Sequence, residues 1–167
     1  MDRKIIGQTF RYMRNKIFAE LLQNKNVIKA LTVESEDFLN APLNKEQLSY
    51  IDNPTLLVRK YMYPYKKIFD TATEHRTILS IQLSDFQKRG NNYRDGLLTV
   101  YVLTPINLEN TAYGIRYDYI CDEIEEIFND TQIGEFNFYG RGDIDVGDRY
   151  IGHYVSFKIT DFYISKD

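Results

Sequence analysis

Apolar side chains recur along this chain with two periods, and the change of period marks the elements. Ile6, Phe10, Met13, Ile17 and Leu21 are spaced by three and four with Arg and Lys between them, which predicts a helix over residues 3–24. Asn24 to Asn26 breaks the pattern, and Val27 to Val33 is a short apolar run that periodicity leaves open between helix and strand. Asn44 begins NKEQLSYI with Gln47 at the capping-box offset. That helix should end before Pro54, because the residue preceding a proline avoids helical geometry. The clearest helical stripe lies in AYGIRYDYICDEIEEIFN, residues 112–129. Tyr113, Tyr117, Ile120, Ile124, Ile127 and Phe128 form one face; Arg116, Asp118, Asp122, Glu123, Glu125 and Glu126 fall mostly on the other. Thr111 is the expected N-cap. At ~1.5 Å per residue this helix is ~27 Å long, enough to cross a small sheet.

Elsewhere the period is two. Leu79, Ile81 and Leu83 alternate with Ser80, Gln82 and Ser84, predicting a strand over Arg76 to Phe86 with one buried face. LLTVYVLT, residues 97–104, reads as a second strand, and the polar stretch Gln87 to Asp95 as an over-long charged hairpin loop. GEFNFYG, residues 134–140, is a third strand with Phe136 and Phe138 facing together. Arg141 to Arg149 reads as a polar turn before a fourth strand, Tyr150 to Ile164, whose Ile151, His153, Val155, Phe157 and Ile159 share a face. Gly152 weakens pairing there or marks a bulge. The expected fold is α+β: an antiparallel four-stranded sheet in hairpin–helix–hairpin order packed on one long helix. Residues 1–70 form a mainly helical N-terminal segment, and residues 71–167 the α+β core.

With 167 residues the chain can bury a real core. A net charge of −3 gives no support to a nucleic-acid-coating role. The 14 tyrosines and 10 phenylalanines, with no tryptophan, suit half-buried sheet faces and subunit interfaces, although AT-rich coding produces the same bias. Cys121 is the single cysteine, so no intrachain disulfide forms. MDRKIIGQTF lacks the apolar core of a signal peptide, and no run approaches the ~18 apolar residues of a membrane helix. The chain is expected in cytosol, or in a particle assembled there, without a membrane partner.

Candidate chemistry is sparse. RGDIDVGD, residues 141–148, brings Asp143, Asp145 and Asp148 close in sequence, but its spacing matches no calcium loop, and aspartate and glycine are ordinary turn formers. They are expected to be turn residues and not metal ligands; Arg141-Gly142-Asp143 is a chance tripeptide. His75 stands beside Glu74, and His153 lies on a strand face, yet no motif places a nucleophile near either. Cys121 reads as a buried thiol. No phosphate-loop, dinucleotide, zinc-protease or CxxC pattern occurs, so neither an enzyme nor a cofactor is expected. Arg59, Lys60, Lys66 and Lys67 interleave with Tyr61, Tyr63 and Tyr65, a pattern that can grip single-stranded nucleic acid. An extended segment with snorkelling lysines is the simpler reading.

The order LLTVYVLT, YGIRYDYICDEIEEIFND, GEFNFYG and YIGHYVSFKITDFY, within residues 76–164, resembles the tail terminator and related neck proteins of tailed bacteriophages. The resemblance rests on element order, aromatic-rich strands and helix character. It implies a small non-enzymatic α+β protein of the virion, in a homo-oligomeric ring, typically hexameric, at the head–tail junction. It implies tail tube and head-side neck proteins as partners, with DNA passing through without specific binding. Residues 1–70 depart from the compact family pattern, which leaves terminator, adaptor and head-closure roles open. Interface candidates are Lys88, Arg89, Tyr93, Arg94 and Asp95 of the expected loop, and Arg141, Asp143, Asp145, Asp148 and Arg149 of the expected turn. The rival readings are a small nucleic-acid-binding or regulatory protein using residues 59–67, and a metal-dependent hydrolase using the three aspartates.

Overall fold

In the computed structural model, which describes residues 3–67, 75–90, 93–130 and 135–162, a five-stranded sheet carries helices on one face. The N-terminal elements are α1 (Arg3–Gln23), α2 (Lys25–Thr32) and α3 (Lys45–Asp52), followed by a 3-10 turn over Pro54–Leu57. Asn24 ends the first amphipathic run and caps the next helix, its side chain accepting the Val27 amide at 3.0 Å. Val27 to Thr32 is therefore helix. The capping box at Asn44 and Gln47 is present in both directions. Met13, Ile17 and Leu21 are buried as the stripe requires, whereas the side chain of Ile6 lies outside the described residues.

The sheet order is β1 (Met62–Tyr63), β2 (Ile78–Arg89), β3 (Tyr93–Pro105), β7 (Tyr150–Phe162), β6 (Glu135–Ile144). Four of these strands are antiparallel, as the alternation predicts. The expectation of four strands is one short: β1 runs parallel to β2, pairing Met62 with Leu79 and Tyr63 with Ser80. A two-residue strand has no period to read. The left-handed turn at Arg59 (φ 66) that leads into it is a conformation non-glycine residues seldom adopt.

Three further expectations need correction. The charged stretch Gln87 to Asp95 is not a long loop: pairing continues through Gln87–Asp95, Lys88–Arg94 and Arg89–Tyr93, beyond a bulge at Ser84–Gln87 where Asp85 has φ 57. Backbone pairing is indifferent to side-chain polarity, so a hairpin that outruns its core carries no apolar alternation. For the same reason β6 extends through Arg141, Gly142 and Asp143 into the expected turn. Finally, the long helix is α4 (Arg116–Asp130), starting later than expected. Thr111 does not cap it. A small hairpin of β4 (Asn110–Thr111) and β5 (Gly114–Ile115) precedes it, with the Thr111 hydroxyl donating to the Gly114 carbonyl at 2.7 Å and accepting the Tyr113 amide at 3.1 Å.

One buried cluster joins Met13, Ile17 and Leu21 of α1, Val27 and Ile28 of α2, and Tyr50 of α3 to the sheet face formed by Leu79, Ile81, Leu98, Val100, Val102, Val155, Phe157 and Ile159. From α4 it takes Ile120, Cys121, Ile124 and Phe128, while Ile127 is half-buried against it. A smaller cluster of Tyr63, Ile78, Leu103 and Tyr150 closes one end of the opposite face. Gly152 is needed for close approach there: a Cβ would stand 2.4 Å from Ile144 Cγ1 and 2.8 Å from Leu103 Cδ2. The irregularity in the β6–β7 pair lies instead between Phe138 and Gly140.

Candidate interaction surface

The helix side of the sheet is committed to holding the fold together, and its polar centre is Arg116. Periodicity assigns this residue to the wet side of the helix, yet it is fully buried. All five of its N–H groups are used. Nε donates to Leu108 O at 2.8 Å, Nη1 to Ala30 O at 2.9 Å and Val33 O at 2.8 Å, and Nη2 to Glu34 O at 3.2 Å and Ser35 O at 3.1 Å. Ala30 and Val33 offer carbonyls at the C-terminal end of α2, where the helix dipole favours a cation. Burial pulls the Arg116 pKa down to about 10, still far above neutrality, so the group stays charged. Its side chain also lies over the Phe38 ring. The N-terminal helices are thus latched to the start of α4.

Arg141 is a second latch, from β6 to α4. Nη1 donates to Asp122 at 2.5 Å and Glu125 at 3.1 Å, and Nη2 to the Asp118 carboxylate at 2.7 Å. Burial alone would lower the Arg141 pKa, but the Asp122 and Asp118 bonds more than offset that and raise it above the ordinary guanidinium value. Its Nε donates to His153 Nε2 at 2.9 Å. An arginine cannot accept, so His153 Nε2 carries the lone pair and Nδ1–H faces Asp143 at 2.9 Å. His153 also stacks on Tyr117. The Asp143–His153 pair therefore has the contacts of a catalytic dyad with its working nitrogen already occupied. Cys121 is fully buried, and desolvation pushes its thiol up to about 12, so it is no nucleophile.

The three aspartates do not converge. Asp143 faces His153, Asp145 accepts the Gly147 amide at 3.1 Å, and Asp148 is exposed on the turn. Among the described residues no three His, Cys, Asp or Glu side chains are grouped to hold a metal. The His75–Glu74 pair lies partly outside the described residues; His75 itself is exposed, near Asn107.

Of the other interface candidates, Arg94 is buried, its guanidinium 4.1 Å from the Phe10 ring centre and 5.3 Å from that of Phe86. Lys88 and Arg89 are exposed at the tip of the β2–β3 hairpin, where Arg89 pairs with Asp95 at 3.0 Å. The side chain of Tyr93 lies outside the described residues. Asp145, Asp148 and Arg149 are exposed in the β6–β7 turn.

The basic and aromatic run is turned inward in part. Lys60 bonds Glu46 and the Tyr50 hydroxyl, Tyr61 packs on the main core, and Met62 and Tyr63 are buried. Lys67 donates to the Tyr63 hydroxyl at 3.0 Å. Arg59, Tyr65 and Lys66 of the same run are exposed, and only Met62–Tyr63 is strand.

The face of the sheet away from the helices presents a different chemistry. Tyr101 and Tyr154 are cross-strand partners at its centre. The Tyr101 hydroxyl donates to Gln82 at 2.8 Å, and Thr99 and Ser156 share a 2.9 Å hydrogen bond. Two clefts open on this face: one of about 460 Å³ beside Lys66, Tyr101 and Asp145, the other of about 270 Å³ beside Arg89, Tyr139 and Lys158. Sequence reasoning missed both Arg116 and this face. The first has partners some eighty residues away; the second was signalled only by alternate polar and aromatic positions in the predicted strands.

No helix among the described residues is long and apolar enough to cross a membrane. No curated protein matches the chain. The YomW family model matches residues 24–159, from the α2 cap into β7, and the chain therefore belongs to the YomW family.

Proposed function

We propose that this chain is a non-enzymatic structural subunit of a tailed-phage particle, a tail terminator or neck protein that assembles as a ring joining tail tube to head. The observation that carries the reading is the element order: hairpin, helix, hairpin on one sheet, the order of the phage family that residues 76–164 resemble. The YomW match is consistent with a phage origin. The occupied Nε2 of His153 and the buried Cys121 thiol also favour a structural role over a hydrolytic one.

In this reading α4 and its two arginine latches make a rigid body, while projecting elements meet neighbouring copies. Lys88 and Arg89 on the hairpin tip and Asp145, Asp148 and Arg149 on the β6–β7 turn are the exposed contacts, with Asp95 half-buried beside Arg89. Arg94 and Arg141 are withdrawn from that set, because both are engaged within the chain. Tail tube and head-side neck proteins are the partners, and DNA passes through the ring without specific binding. Light scattering on a sizing column with negative-stain microscopy tests this: rings, or caps on purified tail tubes, are the expected result. A chain that stays monomeric at every concentration and does not join tail tubes would sink it.

A further inference from the structure

We infer that the open face of the sheet binds a short single strand of nucleic acid, independently of sequence and independently of any ring assembly. Tyr154 pairs with Gly142, and a Cβ at Gly142 would meet the Tyr154 ring at 3.1 Å. The glycine therefore lets that ring lie along the sheet surface. The neighbouring Tyr101 leans the other way, held by Gln82 on β2. Tyr139, more than half exposed, adds a third ring on the edge strand.

Each end of this row carries a cation over a ring. Lys66 Nζ lies 5.1 Å from the Tyr101 ring centre, and Lys158 Nζ lies 5.0 Å from that of Tyr139. Among the described residues neither lysine forms an ion pair with a carboxylate. The two clefts stand beside these two lysines, so the row runs between them across β3, β7 and β6. Leu103 and Leu97, which line the two clefts, are six residues apart on β3, ~20 Å. That leaves room for about four nucleotides, the lower end of the range for small sheet platforms.

The occupant follows from composition. Protein–protein interfaces are enriched in tyrosine but depleted of lysine. A row of flat tyrosines with a lysine at each end instead matches stacked bases and phosphates. The acidic groups that line the two clefts are each engaged within the chain: Asp145 takes the Gly147 amide, Asp95 pairs with Arg89, and Asp85 accepts the Ser84 hydroxyl. The net charge of −3 is a property of the whole chain, whereas Lys66 and Lys158 place positive charge at the two ends of the tyrosine row.

The test is fluorescence anisotropy of the full chain with a labelled oligothymidylate of about eight nucleotides at ~0.05 M salt, beside a duplex of the same length. The single strand should bind more tightly than the duplex. Its affinity should fall with salt at a logarithmic slope of about −1.4, as two lysine–phosphate contacts predict. Tyr139→Ala should weaken binding at least about five-fold, the low end for one stacked base. The double variant Lys66→Gln and Lys158→Gln should weaken it about ten-fold or more and flatten the salt slope. All three side chains are exposed, and unchanged circular dichroism confirms that the variants fold. No binding of the single strand, equal binding of the duplex, or parent-like affinity in these variants would overturn the inference. So would variants that change oligomer size but leave the anisotropy untouched, since the face would then be a protein contact.

Discussion

Replacing Arg116 tests the account of how the N-terminal helices are held. The guanidinium serves five backbone carbonyls, but they are not equivalent. The bonds to Ala30 and Val33 are buried, while those to Leu108, Glu34 and Ser35 are partly exposed. In Arg116→Met the last three carbonyls can turn to water. The first two are stranded, and each unsatisfied buried acceptor costs ~1–3 kcal/mol. Removing a buried charge without a carboxylate partner offsets part of this, since such a charge carries its own desolvation cost. The net expectation is a loss of ~2–4 kcal/mol for methionine. For alanine it is ~3–5 kcal/mol, because a cavity forms beside Phe38 as well. Arg116→Lys keeps the charge but has only three donors on a single nitrogen, so it should fall near the methionine value. Urea denaturation followed by far-UV circular dichroism reads these differences. At a slope of ~2 kcal/mol/M, a 3 kcal/mol loss moves the midpoint by ~1.5 M. A methionine variant within ~0.5 kcal/mol of the parent would refute the reasoning, because it would mean that the two buried carbonyls need no donor.

Ile124 is fully buried in the main cluster, so Ile124→Ala should lose ~2–5 kcal/mol in the same assay; an unchanged midpoint would mean the helix face is misassigned. Gly152→Ala should cost ~1–3 kcal/mol through overlap with Ile144 and Leu103, and Ile144→Ala in the same chain should recover part of it; strict additivity of the two would argue against a shared clash. Cys121 should resist thiol reagents at pH 8 until the chain unfolds, and rapid labelling of the native protein would contradict its burial. The same thiol gives a pH dependence with a definite sign. Its folded pKa is raised to about 12, so above the unfolded value of ~8.5 the unfolded chain loses a proton that the folded chain keeps. That contribution is fully present below pH ~8.5 and is lost as pH rises toward 12, at up to ~1.4 kcal/mol per unit. Cys121→Ala should therefore show a smaller fall in urea midpoint between pH 8 and 10 than the parent, and an equal fall would count against the assignment.

Features governed by neighbours along the chain were legible in the order of the amino acids alone. The capping box at Asn44 and Gln47 needs only four consecutive residues to agree. The apolar stripe of α4 and the alternation of β2, β3 and β7 follow from the two side-chain periods. Tertiary structure decided the rest. Arg116 sits among acidic residues in a helix pattern that marks it for solvent, and only the return of residues 30–35 to the start of α4 turns it into a buried latch. Arg141 and Asp143 look like turn residues until β6 pairs with β7 and brings them to His153 and α4. The hairpin tip from Gln87 to Asp95 read as a loop because backbone hydrogen bonds leave no trace in side-chain polarity once a strand has left its core. Parallel β1 was invisible because two residues carry no period, and its partner lies beyond Pro64 and the residues that follow it. Local physical chemistry is written in adjacent residues, whereas a charge is buried or exposed according to which distant carbonyls the fold brings to it.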